Sequence, residues 1–484
     1  MSKTKQILSK ASALLSAGSL LYKKMKLRRN WQKIVLVLGM LVFTTVIGLN
    51  LRYPKAAMAI TTYYVATNGS DRNPGTRTRP FATIAYAASK VQPGDTVYVR
   101  GGRYYPTKLI WIGNRGTASN PITFQSYPGE RAIIDGRNLP PNTDAINIGG
   151  EYININNFEV LKSTKFGIAV WGGKHIKILN NTVHDTAITG IFVSHNDLNQ
   201  VTDILIQGNT VFHTNLNNSS PNDQGGRWGQ GITASGVGNI RVIRNKVYEN
   251  YGEGIGLWGS GVLISNNTVY DNYSVEIYLD NARNATVQRN LIYTNNNRQY
   301  YRFGQPATGI QLANEVSQNQ LQNNKIINNI VIGASWGFYY GNYGRSGGMR
   351  NTLIANNTFY KGTFGLIRID PDGGHSNNVF ANNIFYQVNR VKMTQFSASP
   401  ALKFHHNAWY GGSAGLGAGS GDVRTNPLLV NPGTKIARDY RLKAGSPLRD
   451  KGSTLTQVTN DYAGSTRPLE RRHDIGAYEY FPGT

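Results

Sequence analysis

The chain of 484 residues contains 54 glycines, only 16% charged residues and a net charge of +25. This composition favours a turn-rich β architecture over a helical bundle or a disordered chain. The absence of cysteine excludes a disulfide framework and a zinc site with cysteine ligands.

The first 59 residues have the pattern of a targeting segment. They contain several Lys and Arg and no acid, with an uncharged apolar run at 34–51 followed by Ala57-Met58-Ala59. A basic region, an apolar region and a small-x-small site predict a secretory signal peptide. The run is also just long enough to cross a bilayer, so an uncleaved membrane anchor is the alternative. In both cases we expect the rest of the chain to be secreted or to lie in the cell envelope.

Residues 60–150 are predicted to form an N-terminal cap and the first coils of a repetitive β structure. Apolar residues after Pro80 are spaced as one face of a helix: Phe81, Ile84, Ala85, Ala88 and Val91. Such a helix would close the open end of a stack of coils, because the terminal units of solenoids need a cover. A strand is predicted directly after it, at 96–100.

An asparagine repeat occupies residues 151–410. Each member is followed within two residues by an apolar or β-branched residue: Asn181, Asn209, Asn245, Asn267, Asn290, Asn329, Asn357, Asn383 and Asn407. Steps such as 245 to 267 and 267 to 290 give a period of about 22–24 residues, which is typical of solenoid coils with loops inserted on one side. Because Asn tolerates left-handed backbone and bonds locally, we predict a structural ladder at a tight bend, without a catalytic role.

A second repeat predicts another strand in each coil. It begins with Gly, as in Gly167-Ile-Ala-Val-Trp171 and Gly254-Ile-Gly-Leu-Trp258. Alternation places Ile and Val or Leu inward and the other residues outward. We call these the Gly-led strands; a pre-Asn strand and a post-Asn strand complete each coil. The sequence therefore predicts an all-β chain folded as a right-handed parallel β-helix.

Both ends of the chain carry motifs that resemble a known superfamily. At the start stand Tyr63-Tyr-Val-Ala-Thr-Asn-Gly-Ser-Asp71, Asn73-Pro-Gly-Thr76, Pro80-Phe-Ala-Thr-Ile84 and Pro93-Gly-Asp-Thr-Val-Tyr-Val99, and at the end Asp439-Tyr-Arg-Leu, Gly445-Ser-Pro447 and Asp474-Ile-Gly-Ala-Tyr478. Residues 62–480 thereby resemble the bacterial pectate-lyase-like superfamily of right-handed parallel β-helix proteins, with a start like polysaccharide lyase family nine. The resemblance implies this fold in an exported protein. It does not fix the activity, because the superfamily includes both lyases and hydrolases.

The catalytic pattern of family-nine lyases is not matched in this chain. Those enzymes use a cluster of aspartates that binds calcium and a lysine that acts as base. The Gly-led strands here carry no paired-Asp motif and no lysine among their outward residues. Calcium bound by Asp and Glu oxygens stays open, but neither the metal ligands nor the lysine base can be transferred to this sequence.

Two long insertions locate the candidate site. Residues 214–230 and 294–308 both connect a post-Asn strand to a Gly-led strand, so they rise on one edge and flank the Gly-led face, where loops can carry function. The residues predicted to be catalytic are Glu253, Glu276, Arg227, His213 and Asp280. The residues predicted to bind substrate are Trp258, Tyr278, Trp228, Asp223, Tyr301 and Arg302.

Three functions suit these residue types. A lyase must neutralise a uronate carboxylate, remove the neighbouring carbon-bound proton and protonate the leaving oxygen. The candidates for these steps are Arg227 or Arg302, His213 and Tyr278. A glycoside hydrolase needs two carboxylates, for which Glu253 and Glu276 on neighbouring coils are the candidates. A non-catalytic surface or matrix protein would use the Trp and Tyr rings only to bind polysaccharide.

Residues 411–484 begin with a glycine-rich break at 411–421 and are predicted to form a C-terminal cap. The basic balance of the chain beyond the targeting segment favours an acidic, uronate-containing polysaccharide as partner. We expect a monomer, no nucleic acid partner, and membrane contact only if the N-terminal segment is uncleaved. A lyase on such a polysaccharide is the preferred hypothesis.

Overall fold

The computed structural model describes residues 60–482, apart from 195–200, 221–227, 318–319, 345–346 and 389. The targeting segment predicted at 1–59 lies outside these residues, and so do Asp223 and Arg227. Over the part of the chain that is described, no helix is long and apolar enough to cross a membrane.

Short parallel strands, stacked coil upon coil, form most of the structure and confirm the predicted parallel β-helix. Equivalent residues of successive coils stand in register, as in the series Ile168, Ile191, Ile232 and Ile255. These residues are fully buried, so the apolar side chains that repeat along the sequence form one continuous core inside the coils.

The strands fall into the three predicted sets. The Gly-led strands are Ile110–Ile112, Ile146–Ile148, Ile168–Trp171, Ile191–Ser194, Gln230–Ile243, Glu253–Ser265, Val275–Arg283, Thr308–Ala313, Trp336–Gly341, Gly365–Ile369 and Thr394–Gln395. The long strands Gln230–Ile243 and Glu253–Ser265 continue into the pre-Asn position of their coils. The separate pre-Asn strands are Thr62–Val65, Thr96–Val99, Ile122–Ser126, Ile153–Asn156, Lys174–Leu179, Thr202–Gln207, Thr286–Gln288, Lys325–Ile327, Leu353–Ala355, Asn378–Ala381 and Leu402–His405.

The post-Asn strands form a second, twelve-stranded sheet. They are Gly102–Tyr104, Ala132–Asp135, Phe158–Leu161, Thr182–His184, Thr210–Phe212, Lys246–Tyr248, Thr268–Tyr270, Leu291–Tyr293, Ile330–Ile332, Thr358–Tyr360, Ile384–Tyr386 and Ala408–Tyr410. On its outer face five rings stack with centroids 4.6–5.1 Å apart, namely His184, Phe212, Tyr248, Tyr270 and Tyr293. Because each ring face contacts the next ring, this row stabilises the stack and leaves mainly ring edges to solvent.

The helical segments are short. An α-helix spans Ile84–Ala88, and 3-10 turns span Gly136–Asn138, Leu216–Asn218, Arg298–Tyr300, Gly415–Gly417 and Ala437–Tyr440. Thr83 begins the α-helix, because its side-chain oxygen accepts a hydrogen bond from the backbone N–H of Tyr86. Ile84, Ala87 and Ala88 are buried. That this helix closes the end of the stack stays a prediction.

Close packing explains why the Gly-led strands begin with glycine. A Cβ atom at Gly190 would lie 2.5 Å from Cγ1 of Val211 and 2.8 Å from the carbonyl oxygen of Gly231. One coil later, a Cβ atom at Gly231 would lie 2.5 Å from Cγ1 of Val247 and 2.8 Å from the carbonyl oxygen of Gly254. The bend between the post-Asn and Gly-led strands therefore has no space for a side chain at these positions.

The asparagine repeat forms the predicted ladder. From Asn181 to Asn383, each Asn donates from its backbone N–H and its Nδ2 to the Oδ1 of the next Asn, at 2.8–3.1 Å. The Nδ2 group also reaches a backbone carbonyl, which for Asn267 is that of Val242 at 2.9 Å. The buried amides are thus hydrogen-bonded along the whole ladder, so their burial is compensated.

Two asparagine ladders end on a carboxyl group. The backbone N–H of Asn407, the last member of the long ladder, donates to Oδ1 of Asp422 at 2.9 Å. A shorter ladder passes from Asn250 to Oδ1 of Asn272 at 2.7 Å. The backbone N–H of Asn272 then donates to Oε1 of Glu276 at 3.3 Å. In each case a carboxyl oxygen takes the place of the next asparagine.

Candidate functional site

A cavity of about 300 Å³ opens on the Gly-led face, at the level of the two long insertions. Six residues expected at the site line it, namely Glu253, Asp280, Trp258, Tyr278, Trp228 and Arg302. The walls also include residues that the sequence did not single out, among them Gln230, Thr233, Gln311, Glu315 and Tyr343. The insertions and the Gly-led strands between them therefore meet at one polar, aromatic cavity.

Glu253 is fixed in the cavity wall by a hydrogen-bond chain. Nε2 of Gln230 donates to Oε2 of Glu253 at 2.8 Å. The hydroxyl of Thr233 donates to Oε1 of the same Gln230, so the orientation of the amide is set. The Gln230 side chain lies against Gly256, where a Cβ atom would come within 2.8 Å of Cγ of Gln230. Glycine at 256 thus leaves the space that Gln230 occupies.

The carboxyl group of Glu253 is poised between its neutral and charged forms. Burial raises its pKa to about 7, and the nearby carboxylates of Glu315 and Asp280 act in the same direction. The hydrogen bond from Gln230 and the charge of Arg302 oppose this rise. A buried carboxyl group with a pKa near neutrality can hold or release a proton under physiological conditions, which is the property of a general acid.

Tyr278 and Glu315 form a second polar pair in the same cavity. The Tyr278 hydroxyl donates a short hydrogen bond to Oε1 of Glu315. Burial raises the pKa of Tyr278 well above its usual value, and the Glu315 charge and hydrogen bond add to the rise, so Tyr278 keeps its proton. Tyr278 is itself buried, and it is therefore a hydrogen-bonding group of the cavity rather than an open platform for a sugar ring.

Asp280 lies on the same strand, beyond Tyr278. Its Oδ1 accepts a hydrogen bond from the backbone N–H of Glu315 at 3.2 Å. Burial raises the pKa of Asp280 to about 7, and the charge of Glu315 contributes in the same direction. The cavity therefore contains three carboxyl groups, of which two carry a proton for part of the time at neutral pH.

Arg302 brings the two insertions together. Its guanidinium lies 4.4 Å from the ring centroid of Trp228 on the first insertion and 4.9 Å from that of Phe303 on its own. Nη1 of Arg302 donates to Oγ of Ser274 at 3.1 Å. Stacking on two aromatic rings holds the guanidinium plane in place. Among the described residues that line the cavity, Arg302 is the only one with a cationic side chain.

The expected pairing of Glu253 with Glu276 is wrong. Residues 254 and 276 hold equivalent positions in neighbouring coils, as the pairing of Ile255 with Ile277 shows. The side chain of Glu276 therefore points into the bend that leading glycines occupy in other coils, where it accepts hydrogen bonds from Asn272. Burial raises the pKa of Glu276 well above its usual value. Glu276 ends the short ladder and does not line the cavity.

His213 and Tyr301 also lie away from the cavity lining. Nδ1 of His213 is 3.4 Å from Oδ1 of Asp185, and its Nε2 is 3.4 Å from Oε2 of Glu249. His213 thus belongs to a column of turn residues along the edge of the stack. The hydroxyl of Tyr301 donates to Oδ1 of Asn296 at 3.3 Å, within its own insertion. The structure assigns neither residue to the group around Glu253.

Glu315 is an acidic cavity residue that the sequence analysis missed. It stands two residues after the Gly-led strand Thr308–Ala313 and folds back towards Tyr278. A signal was present, because Glu315 is the only acidic residue between Asp280 and Asp370. The spacing of the repeat does not predict Glu315, since this residue follows the strand and does not occupy one of the outward positions of the strand.

The cavity residues do not fit a calcium cage of the family-nine type. Glu253 is turned towards Gln230 and Glu315 towards Tyr278, so their oxygens serve separate hydrogen bonds. Across the residues that the structure describes, no group of three or more His, Asp or Glu side chains is arranged to hold a metal ion. We therefore derive no step through calcium.

Comparison with known families identifies the scaffold. The family described as "Pel9A-like, right handed beta helix region" matches residues 63–272, and "Right handed beta helix region" matches residues 204–344. The uncharacterized protein YwoF of Bacillus subtilis (strain 168) is 31% identical over 344 residues, which cover 62% of this chain and 68% of that protein. Pectate lyase PEL9 of Emericella nidulans is 46% identical over 77 residues, 16% of this chain and 19% of that protein.

Solved structures share the same architecture. Pectate lyase Pel9A superposes with a TM-score of 0.52 at 17% identity, over 87% of this chain and 98% of that one. The complex of XylC with xylose superposes with a TM-score of 0.60 at 13% identity, over the same shares of the two chains. At these identities the likeness shows the fold and leaves the chemistry to the site.

Proposed function

The chain belongs to the pectate-lyase-like superfamily of right-handed parallel β-helix proteins, and from this membership we propose that it is a carbohydrate-active enzyme, a lyase that cleaves a uronate-containing polysaccharide. The observation that carries the proposal is the convergence of Arg302, the Tyr278–Glu315 pair and Glu253 in one cavity. These groups supply the three functions that β-elimination needs, which are neutralisation of the carboxylate, a base and an acid.

In the proposed reaction, Arg302 and Glu253 bind the carboxylate of the uronate. The guanidinium of Arg302 attracts the carboxylate, and Glu253 donates a hydrogen bond to it in its neutral form, which its pKa of about 7 makes available. Both interactions strengthen as negative charge moves onto the carboxylate in the transition state. They therefore lower the barrier to removing the neighbouring carbon-bound proton.

The Tyr278–Glu315 pair completes the proposed reaction. The Glu315 carboxylate removes the proton from the carbon next to the uronate carboxylate, and the electron pair forms the carbon–carbon double bond. The glycosidic carbon–oxygen bond breaks, and the leaving oxygen takes the proton of the Tyr278 hydroxyl. Because the two side chains share a hydrogen bond, Glu315 can return its proton to Tyr278 and restore both groups.

The names of related proteins support the lyase assignment at the level of class. PEL9 and Pel9A are both named as pectate lyases, the first matching 77 residues of this chain and the second its fold. Neither match identifies the sugar or the linkage that this chain would cleave.

A glycoside hydrolase is the second candidate, and it rests on a specific observation. Three carboxyl groups, Glu253, Asp280 and Glu315, share the cavity with a single described cation. Glu253 with a raised pKa and Glu315 with a hydrogen-bonded carboxylate have the properties of an acid and a nucleophile or base. This arrangement would act on a neutral sugar as readily as on a charged one.

One experiment separates these functions. The purified protein is incubated with a panel of acidic and neutral polysaccharides, and new reducing ends and the absorbance of unsaturated uronates are measured together. A joint rise in both signals is expected. Reducing ends without the absorbance would establish the hydrolase instead, and binding without cleavage would leave a polysaccharide-binding protein.

Matched variants tie the activity to the cavity. Tyr278→Phe and Glu315→Gln should each lower kcat by about 100-fold or more, because each removes a proton-transfer group. Tyr301→Phe, which changes a tyrosine outside the cavity lining, is the control and should keep parent activity. Equal activity of Tyr278→Phe and the parent would overturn the proposed mechanism.

A further inference from the structure

We propose that the Gly-led face carries two sugar-binding platforms outside the cavity, so that an anionic polysaccharide lies lengthwise along the stack of coils. The upstream platform consists of Lys165 and Trp171, and the downstream platform consists of Arg368 and Tyr339. This inference rests on the proposed function, because it says how the substrate of the same cavity is held.

The register of the Gly-led strands aligns the platforms with the cavity. One outward column passes through Phe192, Thr233, Gly256, Tyr278, Gln311, Tyr339 and Arg368, with each residue paired to the next. Thr233 and Gln311 line the cavity. Phe192, on which Trp171 packs, precedes Thr233 by one coil, and Tyr339 follows Gln311 by one coil. The downstream platform therefore begins one coil after Gln311, and Trp171, which pairs with Ser194 in the coil of Phe192, lies two coils before Thr233.

The rise of the stack matches the repeat of a polysaccharide. Parallel strands in neighbouring coils lie ~4.8 Å apart, a distance comparable to the length of one sugar residue in an extended chain. A polysaccharide parallel to the stack would therefore meet one outward position of the column with each successive sugar. No other direction across the face offers this repeat.

The upstream platform combines an aromatic ring with a cation. The ammonium group of Lys165 lies 5.5 Å from the ring centroid of Trp171 and 4.9 Å from that of Phe166. The ring centroid of Trp171 lies 4.9 Å from that of Phe192 and 6.3 Å from that of Phe166. The ring is thus held in place while part of it stays exposed. A fixed indole beside an ammonium group suits a sugar ring that carries a carboxylate.

The downstream platform also consists of an aromatic ring and a cation, but the charge of its cation is partly balanced by a neighbouring carboxylate. The guanidinium of Arg368 lies 4.7 Å from the ring centroid of Tyr339. Nε of Arg368 contacts Oδ1 of Asp370 at 2.9 Å, and the Tyr339 hydroxyl donates to Oδ2 of Asp370 at 2.8 Å. Since Asp370 balances the charge of Arg368, Lys165 is expected to contribute more to the binding of an anion.

The charges along the face favour a long substrate. Cations stand on both sides, whereas the cavity between them holds Glu253, Asp280 and Glu315. An anionic chain is therefore attracted at its flanks by Lys165 and Arg368, and the sugar at the centre meets Arg302 beside three carboxyl groups. A short oligosaccharide would fill the cavity without gaining the attraction of the platforms. The enzyme should accordingly prefer long chains and cut them internally.

The test compares chain lengths. Steady-state kinetics of the full protein are measured on a long acidic polysaccharide and on a trisaccharide of the same polymer, which is too short to reach from Tyr278 to Lys165. Lys165→Gln and Trp171→Ala should each raise KM for the long chain about tenfold, leave kcat unchanged and leave the trisaccharide kinetics unchanged. For Lys165→Gln the effect should shrink at high salt, because ions screen it. Lys177→Gln, on the exposed outer face of a pre-Asn strand, is the matched control.

The outcomes separate this proposal from the proposed function. Unchanged KM for the long chain in both variants, with parent cleavage intact, would overturn the platforms and leave the lyase standing. Equal losses on the long chain and the trisaccharide would also overturn them, since that pattern indicates a damaged cavity. If the parent binds the long chain without cleaving it, calorimetry with Lys165→Gln decides. Weaker binding by that variant would support the platform although the lyase assignment fails, and unchanged binding would overturn both.

Discussion

The asparagine ladder and the cavity of the Gly-led face occupy the same coils, but they handle polar groups in opposite ways. In the ladder, the same amide repeats from coil to coil and is fully hydrogen-bonded. In the cavity, the residue changes at every coil, and partial or full burial raises the pKa of carboxyl groups such as Glu253 and Asp280 to about 7. Repetition therefore marks the part that holds the fold, and its interruption marks the part with chemical capacity.

Substitution of two buried glutamates, Glu253 in the cavity and Glu276 at the end of the short ladder, gives the strongest test of this difference. Glu253→Gln should lower kcat by about 10³-fold, because it removes the group that supplies a proton or a strengthening hydrogen bond in the transition state. Glu276→Gln should keep activity within about threefold of the parent, because Glu276 serves the ladder end and not the cavity. Initial rates on the cleaved polysaccharide measure both effects.

The reverse ranking, with Glu276→Gln inactive and Glu253→Gln active, would show that the cavity has been wrongly identified. Thermal unfolding of both variants serves as the control. A loss of activity counts only if the variant melts cooperatively at a temperature close to that of the parent.

The ladder should respond to substitution in stability and not in activity. Asn267→Ala removes the bonds to Val242, Asn290 and Asn245 and leaves buried backbone groups without partners. We expect the free energy of unfolding to fall by about 4 kcal/mol, with kcat unchanged well below the melting temperature. Denaturant titration measures the loss.

Asn154→Ala is the matched control for the ladder, because it removes a half-buried amide from the outer face of a pre-Asn strand. Its effect should stay below about 1 kcal/mol. A comparable loss in both variants would mean that the ladder contributes no more than ordinary surface polar groups.

The pH dependence of stability should reveal the buried carboxyl of Glu253. Its pKa is about 7 in the folded protein, against 4.5 for an unperturbed group, so the folded state prefers the protonated form. The parent should therefore lose up to roughly 3 kcal/mol of unfolding free energy as pH rises from 4.5 to 7 on account of this residue. Glu253→Gln should lack this part of the loss and be the more stable of the two at pH 8. Parallel pH profiles for the two proteins would contradict the raised pKa.

Activity should be sensitive to substitution of Gly256, because the side chain of Gln230 packs against this residue. A methyl group in Gly256→Ala would approach Cγ of Gln230 to 2.8 Å and displace the amide that orients Glu253. We expect activity to fall about tenfold, with the basic limb of the pH–rate profile shifted upward because the hydrogen bond that lowers the pKa of Glu253 is lost. An unchanged profile with reduced activity would indicate simple obstruction of the cavity.

The smallest effect is expected at His213. It contacts Asp185 and Glu249 at 3.4 Å along the turn edge, and not the cavity. His213→Asn, which also suits the left-handed backbone at this position, should leave kcat within about twofold of the parent. A loss of 100-fold would restore His213 to the list of catalytic groups.

The fold could be predicted from sequence because its rules are local and repeated. Each ladder position needs an amide that donates to the next coil, and each bend needs a residue without a side chain, so Asn and Gly recur at readable intervals. The prediction failed where a residue breaks the rule. Glu276 stands at a bend position, one place later in its coil than Glu253, and a shift of one residue reverses the direction of a side chain.

The site could be located but not completed from sequence. Glu253, Trp258 and Asp280 were predicted from their strands and line the cavity. Glu315 and Gln230 were not predicted, because each contacts the cavity through a neighbour on another coil. Glu315 lies beyond the end of its strand, and Gln230 is not part of a repeated pattern, so the period of the sequence indicates neither of them. Pairings of this kind depend on how far a side chain folds back across the face, which spacing along the chain does not encode.

The asparagine ladder also has an electrical direction. From Asn181 to Asn383, each side-chain amide donates to the asparagine of the next coil towards the C-terminus, so the side-chain dipoles add up along the stack. Its donor end meets the carboxylate of Asp422, much as an anion stabilises the amino end of an α-helix. The ladder is therefore a polarised rod with an anion at its positive pole, and any protein built by lengthening this stack would have to move that anion along with the last coil.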